Sequence, residues 1–126
     1  MAEVKRRYME YLLLIYDNEA DIAKMSQPEM GAMYQEFMQF TQSIQQSGNY
    51  HAGQQLQPVA TATTVRVRDG KRLTTDGPFA ETREQLGGFY WIKAKDLDEA
   101  LAIAERCPGA RLGSIEVRPI VPPHAG

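Results

Sequence analysis

The chain has 126 residues, 43% of them hydrophobic and 24% charged, which are the proportions of a globular domain with a core of its own. Disordered and fibrous classes are therefore excluded, and a formal net charge of −2 gives no reason to expect direct binding to nucleic acid or to an anionic membrane. One cysteine and two histidines without close ligand spacing predict no disulfide framework and no metal site. We expect no cofactor, and the lack of an export signal or a spanning segment predicts a cytoplasmic protein.

The first half of the chain predicts one strand and one long helix. Tyr11 to Tyr16, YLLLIY, is apolar throughout, which favours a central strand buried on both faces. Ser26 and Glu29 have the spacing of a capping box, and Pro28 suits a first helical turn. The helix is predicted to end near Gly48. Its apolar stripe, which we interpret as core, consists of Met30, Met33, Tyr34, Phe37, Met38, Thr41 and Ile44.

The middle of the chain predicts a hairpin and a further strand. β-Branched residues alternate over 60–68, Asp69-Gly70 is a two-residue turn signal, and 72–75 is the returning strand. Residues 81–86 are expected to form a short helical turn ended by Gly87. The next strand is expected over 89–94.

The last third predicts a second helix and a last strand. Asp96 is the expected cap, and Pro108-Gly109 is the expected stop. The predicted buried face of this helix consists of Leu97, Ala100, Leu101 and Ala104. From Gly113 to Ile120 apolar and charged residues alternate, so this segment is a strand with one apolar face.

This order of elements is βαββαβ with an elaborated middle, the ferredoxin-like α+β plan. Two helices cover only one face of such an antiparallel sheet, so the other face meets water or a second sheet. Residues expected on the helix side are Val65, Val67, Ile115 and Val117, and those expected on the open side are Arg66, Arg68, Glu116 and Arg118. The charged set either lines a wet pocket between two subunits or faces solvent.

Three stretches resemble the DGPF branch of the YCII-related family, small bacterial proteins named partly for the tetrapeptide Asp76-Gly77-Pro78-Phe79. The stretches are YLLLIYD, TATTVRVRDGKRLTTDGPFAETREQLGGFY and DLDEALAIAERCPGARLGSIEVRP. The resemblance runs from about Tyr11 to Pro119 and implies a dimeric ferredoxin-like α+β barrel in which two open sheet faces enclose a cleft. We expect one domain over 1–126, with its core over about 8–120 and a flexible tail at 121–126.

The resemblance implies little about activity, because most members of this branch have no assigned reaction. Some relatives are associated with sigma factors of the extracytoplasmic-function type, which implies a regulatory link. A dechlorinating lyase of another branch uses a histidine on the first helix and an aspartate before a proline ahead of the last strand. Here Ser26 to Ser47 contains no histidine and Cys107 precedes Pro108, so that chemistry is not transferred.

Asp76 is the first candidate for function, with two interpretations. Its carboxylate either caps the turn by accepting backbone N–H groups, with Phe79 pinning the loop into the core, or it acts as a general acid/base at the cleft. Both interpretations use the stiffness that Pro78 gives to the loop.

The other candidates are placed on or near the open face. Arg66 and Arg118 either clamp a carboxylate or phosphate of a ligand or pair with Glu116 or a dimer partner. Glu84 is either a ligand contact or part of a solvated turn, and the Tyr16 hydroxyl either reaches the cleft or packs in the core. His51, Cys107 and His124 carry no catalytic prediction, and Cys107 is expected to be an inert packing residue.

Three functions follow from this reading. The favoured one is a small homodimeric protein that binds a small polar ligand in the inter-sheet cleft, for which the resemblance implies a link to sigma-factor regulation. The second is a cofactor-independent lyase or isomerase that uses Asp76 with Arg66 or Arg118. The third is a protein-interaction module without a ligand. The missing His–Asp pair favours binding over catalysis.

Overall fold

The computed structural model of the chain describes residues 8–123. Its elements in chain order are β1 (Met9–Asp17), α1 (Glu19–Ala23), α2 (Gln27–Gln46), β2 (Tyr50–Gln55), a 3-10 turn (Val59–Thr61), β3 (Thr63–Arg68), β4 (Lys71–Asp76), β5 (Gln85–Ala94), α3 (Leu97–Arg106), α4 (Pro108–Leu112) and β6 (Ser114–Pro119). Part of the predicted tail, including His124, lies outside the described residues.

Four strands form one sheet in the order β2-β5-β1-β6, and every neighbouring pair in it is antiparallel. The remaining two strands, β3 and β4, form a separate antiparallel pair. Antiparallel sheets combined with helices confirm the α+β class. None of the helices formed by residues 8–123 has the length and hydrophobicity that crossing a bilayer requires.

The strand predicted from YLLLIY is β1, and it is central as expected. Its side chains alternate, because Tyr11, Leu13 and Ile15 are buried whereas Leu12 and Leu14 remain partly exposed. The prediction that both faces are buried is therefore wrong for the single chain. The helices pack on one face of the sheet only, because a domain of two layers has helices on a single side of its sheet.

Helix α2 begins at the predicted capping box. Ser26 Oγ accepts a hydrogen bond from the Glu29 backbone N–H at 3.2 Å, and Glu29 Oε1 accepts one from the Ser26 N–H at 2.8 Å. The bond from the Ser26 backbone N–H, and after it the Ser26 side chain, lower the pKa of the Glu29 carboxyl group. The predicted stripe is right at Ile44, which is fully buried, but Met38 is 61% exposed. The stripe also omitted Phe40, which is buried.

Helix α3 is capped as predicted, since Asp96 Oδ1 accepts from the Glu99 N–H at 2.9 Å. Its buried residues are Ala100, Ile103 and Ala104. The prediction for Leu97 and Leu101 is wrong, because each is 47% exposed. A helix this short turns only a narrow face to the sheet, and the steps of three and four from Ala100 select Ile103 and Ala104.

The position of the predicted hairpin is the largest correction. Its turn is as expected, with Arg68 paired to Lys71 and with Asp69 and Gly70 at φ values of 52° and 73°. The hairpin does not join the main sheet, however, and Val65 and Val67 are 58% and 63% exposed. They do not face the helices, and Arg66 and Arg68 consequently do not share an open sheet face with Glu116 and Arg118.

The fourth strand of the main sheet is instead β2, which the sequence did not predict. Its residues, YHAGQQ, are mostly polar, and it lies at the sheet edge beside β5. The helical turn expected over 81–86 is also wrong, because β5 already begins at Gln85. Gly88 lies within β5, where a Cβ would come 2.8 Å from the Gln54 carbonyl oxygen of β2. Glycine at this position therefore lets the two strands pair.

The core lies between the sheet and the helices. Its buried residues are Tyr11, Leu13, Ile15, Phe40, Ile44, Tyr90, Ile92, Ala94, Ala100, Ile103, Ala104 and Cys107. Ile115 and Val117 of β6 pack against this cluster, so the predicted inward face of the last strand is confirmed. Phe40 and Tyr90 meet edge to face with their ring centroids 5.2 Å apart, which fixes α2 on β5.

The Ile44→Ala substitution is expected to lower the free energy of unfolding by about 2–5 kcal/mol, because it leaves a cavity at a fully buried site. The exposed Met38 of the same helix is the matched control, and Met38→Ala is expected to change stability by less than about 0.5 kcal/mol. Urea denaturation followed by circular dichroism measures both. Equal losses would contradict the packing described for α2.

Candidate functional site

A cavity of about 280 Å³ lies between α2 and the sheet, on the side of the sheet that the helices cover. Helix α2 contributes Met33, Tyr34, Phe37 and Thr41, and the sheet contributes Ile15, Asp17, Tyr50, Gly53, Gln54, Gln55 and 87–90. Gly109 and Leu112 of α4 complete the lining. Exposed residues such as Tyr34 and Gln55 form its rim, and buried residues such as Ile15 and Tyr90 form its floor.

Asp17, the last residue of β1, is the one acidic residue in the lining of this cavity. Ile15 pairs with Gly88 and Tyr16 with Leu86, so Gly87 is an extra residue in β5 opposite the end of β1. A Cβ at Gly87 would lie 3.3 Å from Asp17 Oδ2, so the carboxyl group sits against this irregularity. An extra residue of this kind is a β-bulge. β-Bulges change the direction in which neighbouring side chains point, and they are frequent beside functional sites.

The surroundings of Asp17 disfavour its charged form. Burial raises the pKa of its carboxyl group, and the nearby carboxylates of Glu19 and Glu84 raise it further. Within residues 8–123 no donor is hydrogen-bonded to this carboxyl group. Glu19 is held in place, since its Oε2 accepts from the Val59 N–H at 3.0 Å and its own N–H donates to Gln85 Oε1 at 2.9 Å.

Two hydroxyl groups form a second polar feature of the cavity. The oxygens of Tyr90 and Thr41 are 2.6 Å apart, and Thr41 Oγ1 donates to the Phe37 carbonyl oxygen at 2.8 Å. Since Thr41 has one hydroxyl proton, Tyr90 is then the donor in their bond. Burial raises the pKa of Tyr90, although the bond to Thr41 opposes the shift. Both hydroxyls are neutral at physiological pH.

The structure brings three of the predicted site residues together on the open face of the sheet. The Tyr16 hydroxyl donates to Glu116 Oε1 at 3.3 Å, and Arg118 donates to Glu116 Oε2 at 2.6 Å. The bond from Arg118 lowers the pKa of Glu116, and burial followed by the Glu116 charge raises the pKa of Tyr16. Of the two alternatives for Arg118, the structure has it paired with Glu116.

Glu84 and Arg66 lie apart from that cluster. Glu84 Oε1 accepts from Ser114 Oγ at 2.9 Å, near the end of β1, where it acts on Asp17 through its charge. Arg66 is exposed on β3 of the separate hairpin. Neither residue lines the cavity.

The DGPF loop leaves the hairpin at the end of β4 and is held by its backbone. The Gly77 N–H donates to the Ala62 carbonyl oxygen at 2.7 Å, and Thr64 Oγ1 donates to the Gly77 carbonyl oxygen at 2.9 Å. Gly77 has a φ of 96°, which glycine adopts readily. Among the described residues none donates a hydrogen bond to the exposed Asp76 carboxylate. Phe79 is 78% exposed, so the prediction that it pins the loop into the core is wrong within the chain.

The sequence pattern does not identify the cavity. It places Asp17 directly after an apolar strand and Thr41 in the predicted core stripe of the first helix. The available signals were a carboxylate directly after a central strand and the Gly87-Gly88 pair across from it. The carboxylate and the glycine pair come together only through the pairing register of β1 with β5, which the sequence alone does not supply.

Residues 9–123 match the model of the YCII-related domain. The chain belongs to the YCII-related family. An uncharacterised protein of Rhizobium meliloti (strain 1021) is 36% identical over 114 residues, which cover 89% of this chain and 92% of that protein. The resemblance to the YCII-related family is therefore confirmed, whereas membership of its DGPF branch stays a prediction.

The residues outside the cavity that carry reactive groups have ordinary structural surroundings. Cys107, which precedes Pro108, is 1% exposed, and burial raises the pKa of its thiol to about 11. It packs in the core, as predicted. The His51 ring lies on the edge strand β2 with its centroid 4.2 Å from that of Trp91. Among residues 8–123 no group of three or more His, Cys, Asp or Glu side chains is placed to hold a metal ion.

Asp17→Asn is expected to stabilise the protein at pH 7, by up to about 1 kcal/mol because the carboxyl group is only partly buried. A raised native pKa means that the wild type loses stability as pH rises from the ordinary value of 3.8 through the native value. The gain from the substitution should therefore vanish below about pH 3.8, where Asp17 is protonated in both states. Thermal melts between pH 3 and 8 measure it, with the exposed Asp98→Asn as the control. A loss of stability at pH 7 would contradict this account of Asp17.

Proposed function

We propose that this YCII-related protein binds a small molecule in the cavity between α2 and the sheet. The single observation that carries this proposal is the cavity itself, with mostly apolar walls and a few fixed polar groups. Small-ligand sites have this composition. A dry cavity of about 150 Å³ already admits benzene. The volume of about 280 Å³ therefore suits a ring with a short polar substituent.

The proposed location differs from the one expected from the sequence. The inter-sheet cleft would lie on the open face of the sheet, whereas this cavity lies on the helix-covered face. The cleft stays a prediction because it requires a second subunit. A link to sigma-factor regulation and a cytoplasmic location likewise remain predictions.

A second candidate function, a cofactor-independent lyase or isomerase, is favoured by the state of Asp17. A carboxyl group with a raised pKa beside a cavity is suited to general acid/base work. Asp17 is a better candidate for this role than Asp76, because Asp76 is exposed and does not line the cavity. A catalytic role for Asp76 would require a partner subunit to approach it.

The open face of the sheet supports a homodimer of the ferredoxin-like α+β barrel type. The apolar residues Leu12, Leu14 and Trp91 run across it and are partly exposed in the single chain. Polar pairs flank them, since Trp91 Nε1 donates to Glu10 Oε1 at 2.6 Å and Glu116 binds Arg118. An apolar centre with a polar rim is the anatomy of a protein interface. The strand order β2-β5-β1-β6 fits the ferredoxin-like plan.

The ligand proposal is tested with benzyl alcohol as a neutral probe, followed by ligand-observed NMR. Wild type is expected to bind it, and Met33→Trp, which fills the cavity from α2, is expected to weaken binding at least about tenfold. Met38→Trp on the exposed side of the same helix is the matched control and should bind like wild type. Equal binding by the two tryptophan variants, or none by wild type, would refute the cavity as the binding site.

The dimer proposal is tested by sedimentation at micromolar concentration. Wild type is expected to be a dimer and Leu14→Arg a monomer, because a charge at the centre of an apolar interface loses its solvation. Met38→Arg, on the exposed side of α2, should remain a dimer. A monomeric wild type would leave the open face as plain solvent-exposed surface.

A further inference from the structure

The lining of the cavity carries a one-sided charge. Asp17 is its one acidic residue, and no lysine, arginine or histidine contributes to it. The other polar side chains there belong to neutral tyrosine, threonine and glutamine residues. The only charge that the lining can present to a ligand is therefore negative. No residue of the lining carries a positive charge that could balance an anionic ligand.

Two carboxylates outside the lining add to this negative charge. Glu19 and Glu84 both act on Asp17 through their charges. Each is held by a hydrogen bond to a neutral partner, the Val59 N–H and the Ser114 hydroxyl respectively. The ion pairs among the described residues are Arg111–Glu36 and Arg118–Glu116, so neither neutralises this group of carboxylates.

From this arrangement we infer that the cavity is selective for a small apolar amine, whose ammonium group pairs with Asp17 and whose hydrocarbon body lies against Ile15, Phe37 and Tyr90. The inference rests on the proposed binding function and names its ligand class. An ammonium group supplies the hydrogen-bond donors that the Asp17 carboxylate lacks and relieves the repulsion from Glu19 and Glu84. A carboxylate or phosphate in the same place would add a further negative charge without a partner.

This ligand class reverses the expectation drawn from the arginines in the sequence. Arg66 and Arg118 suggested a clamp for an anion, but Arg118 is paired with Glu116 on the opposite face of the sheet. Arg66 lies on the separate hairpin. Neither lines the cavity, so the charged residues that favoured an anion belong to other surfaces.

Three probes of nearly the same shape test the inference on the full chain: benzylamine, benzyl alcohol and benzoate. Dissociation constants are obtained at pH 7 and low salt from the amide shifts of Gly87, Gly88 and Tyr90, all of which line the cavity. Benzylamine is expected to bind about five- to tenfold more tightly than benzoate. Asp17→Asn should bring benzylamine to within about twofold of benzyl alcohol, because the pairing charge is lost. Glu105→Gln, an exposed change on α3, should leave the preference intact.

The outcomes separate this inference from the binding function on which it rests. Binding of benzyl alcohol without a preference for the amine over benzoate would overturn the charge selectivity and leave the cavity as a ligand site. A preference that survives Asp17→Asn would overturn the role given to Asp17. Binding of none of the three probes would overturn both the selectivity and the proposed function.

Discussion

The hydrogen bonding of β1 on both of its edges is the interaction on which the rest of the structure depends. β1 pairs with β5 on one side and β6 on the other, and these pairings hold the two βα halves of the chain in one sheet. Its alternate side chains then have different surroundings. Tyr11, Leu13 and Ile15 enter the core under the helices, and Leu12 and Leu14 remain on the open face. The same strand thus supplies the core and the apolar surface, and its last residue reaches the cavity.

The irregularity at Gly87 explains how that last residue comes to line the cavity. Strand geometry repeats every two residues, so Asp17 follows Ile15 to the helix side of the sheet. The extra residue in β5 shifts the pairing from that point and places glycine where a side chain would otherwise contact the carboxyl group. As a consequence, the charged form of the Asp17 carboxyl group is disfavoured in the native state. Strained or destabilised groups of this kind concentrate at functional sites.

The sequence predicts the features that depend on neighbouring residues. The Ser26–Glu29 capping box, the Asp96 cap and the Asp69-Gly70 turn follow from local chemistry, and all are present. The errors concern features that depend on distant residues. β2 has a polar sequence and is a strand because it pairs with the edge of β5. Val65 and Val67 lie in a strand as predicted, but this strand belongs to a hairpin that joins no larger sheet. The cavity was missed for the same reason, since Asp17 and Gly87 are 70 positions apart in the sequence and meet only through register.

The two edges of the main sheet differ from its open face in a way that bears on how copies of the chain would associate. The strand at one edge, β2, is polar, and its pairing with β5 has a register shift between Tyr50 and Ala52. The strand at the other edge, β6, ends at Pro119, which has no N–H to donate. Irregular, polar or proline-containing edges resist the addition of further strands. Growth by strand addition into open-ended aggregates is thereby discouraged. Association through the open face of the sheet would stop at two chains, because it buries the apolar surface of both partners at once.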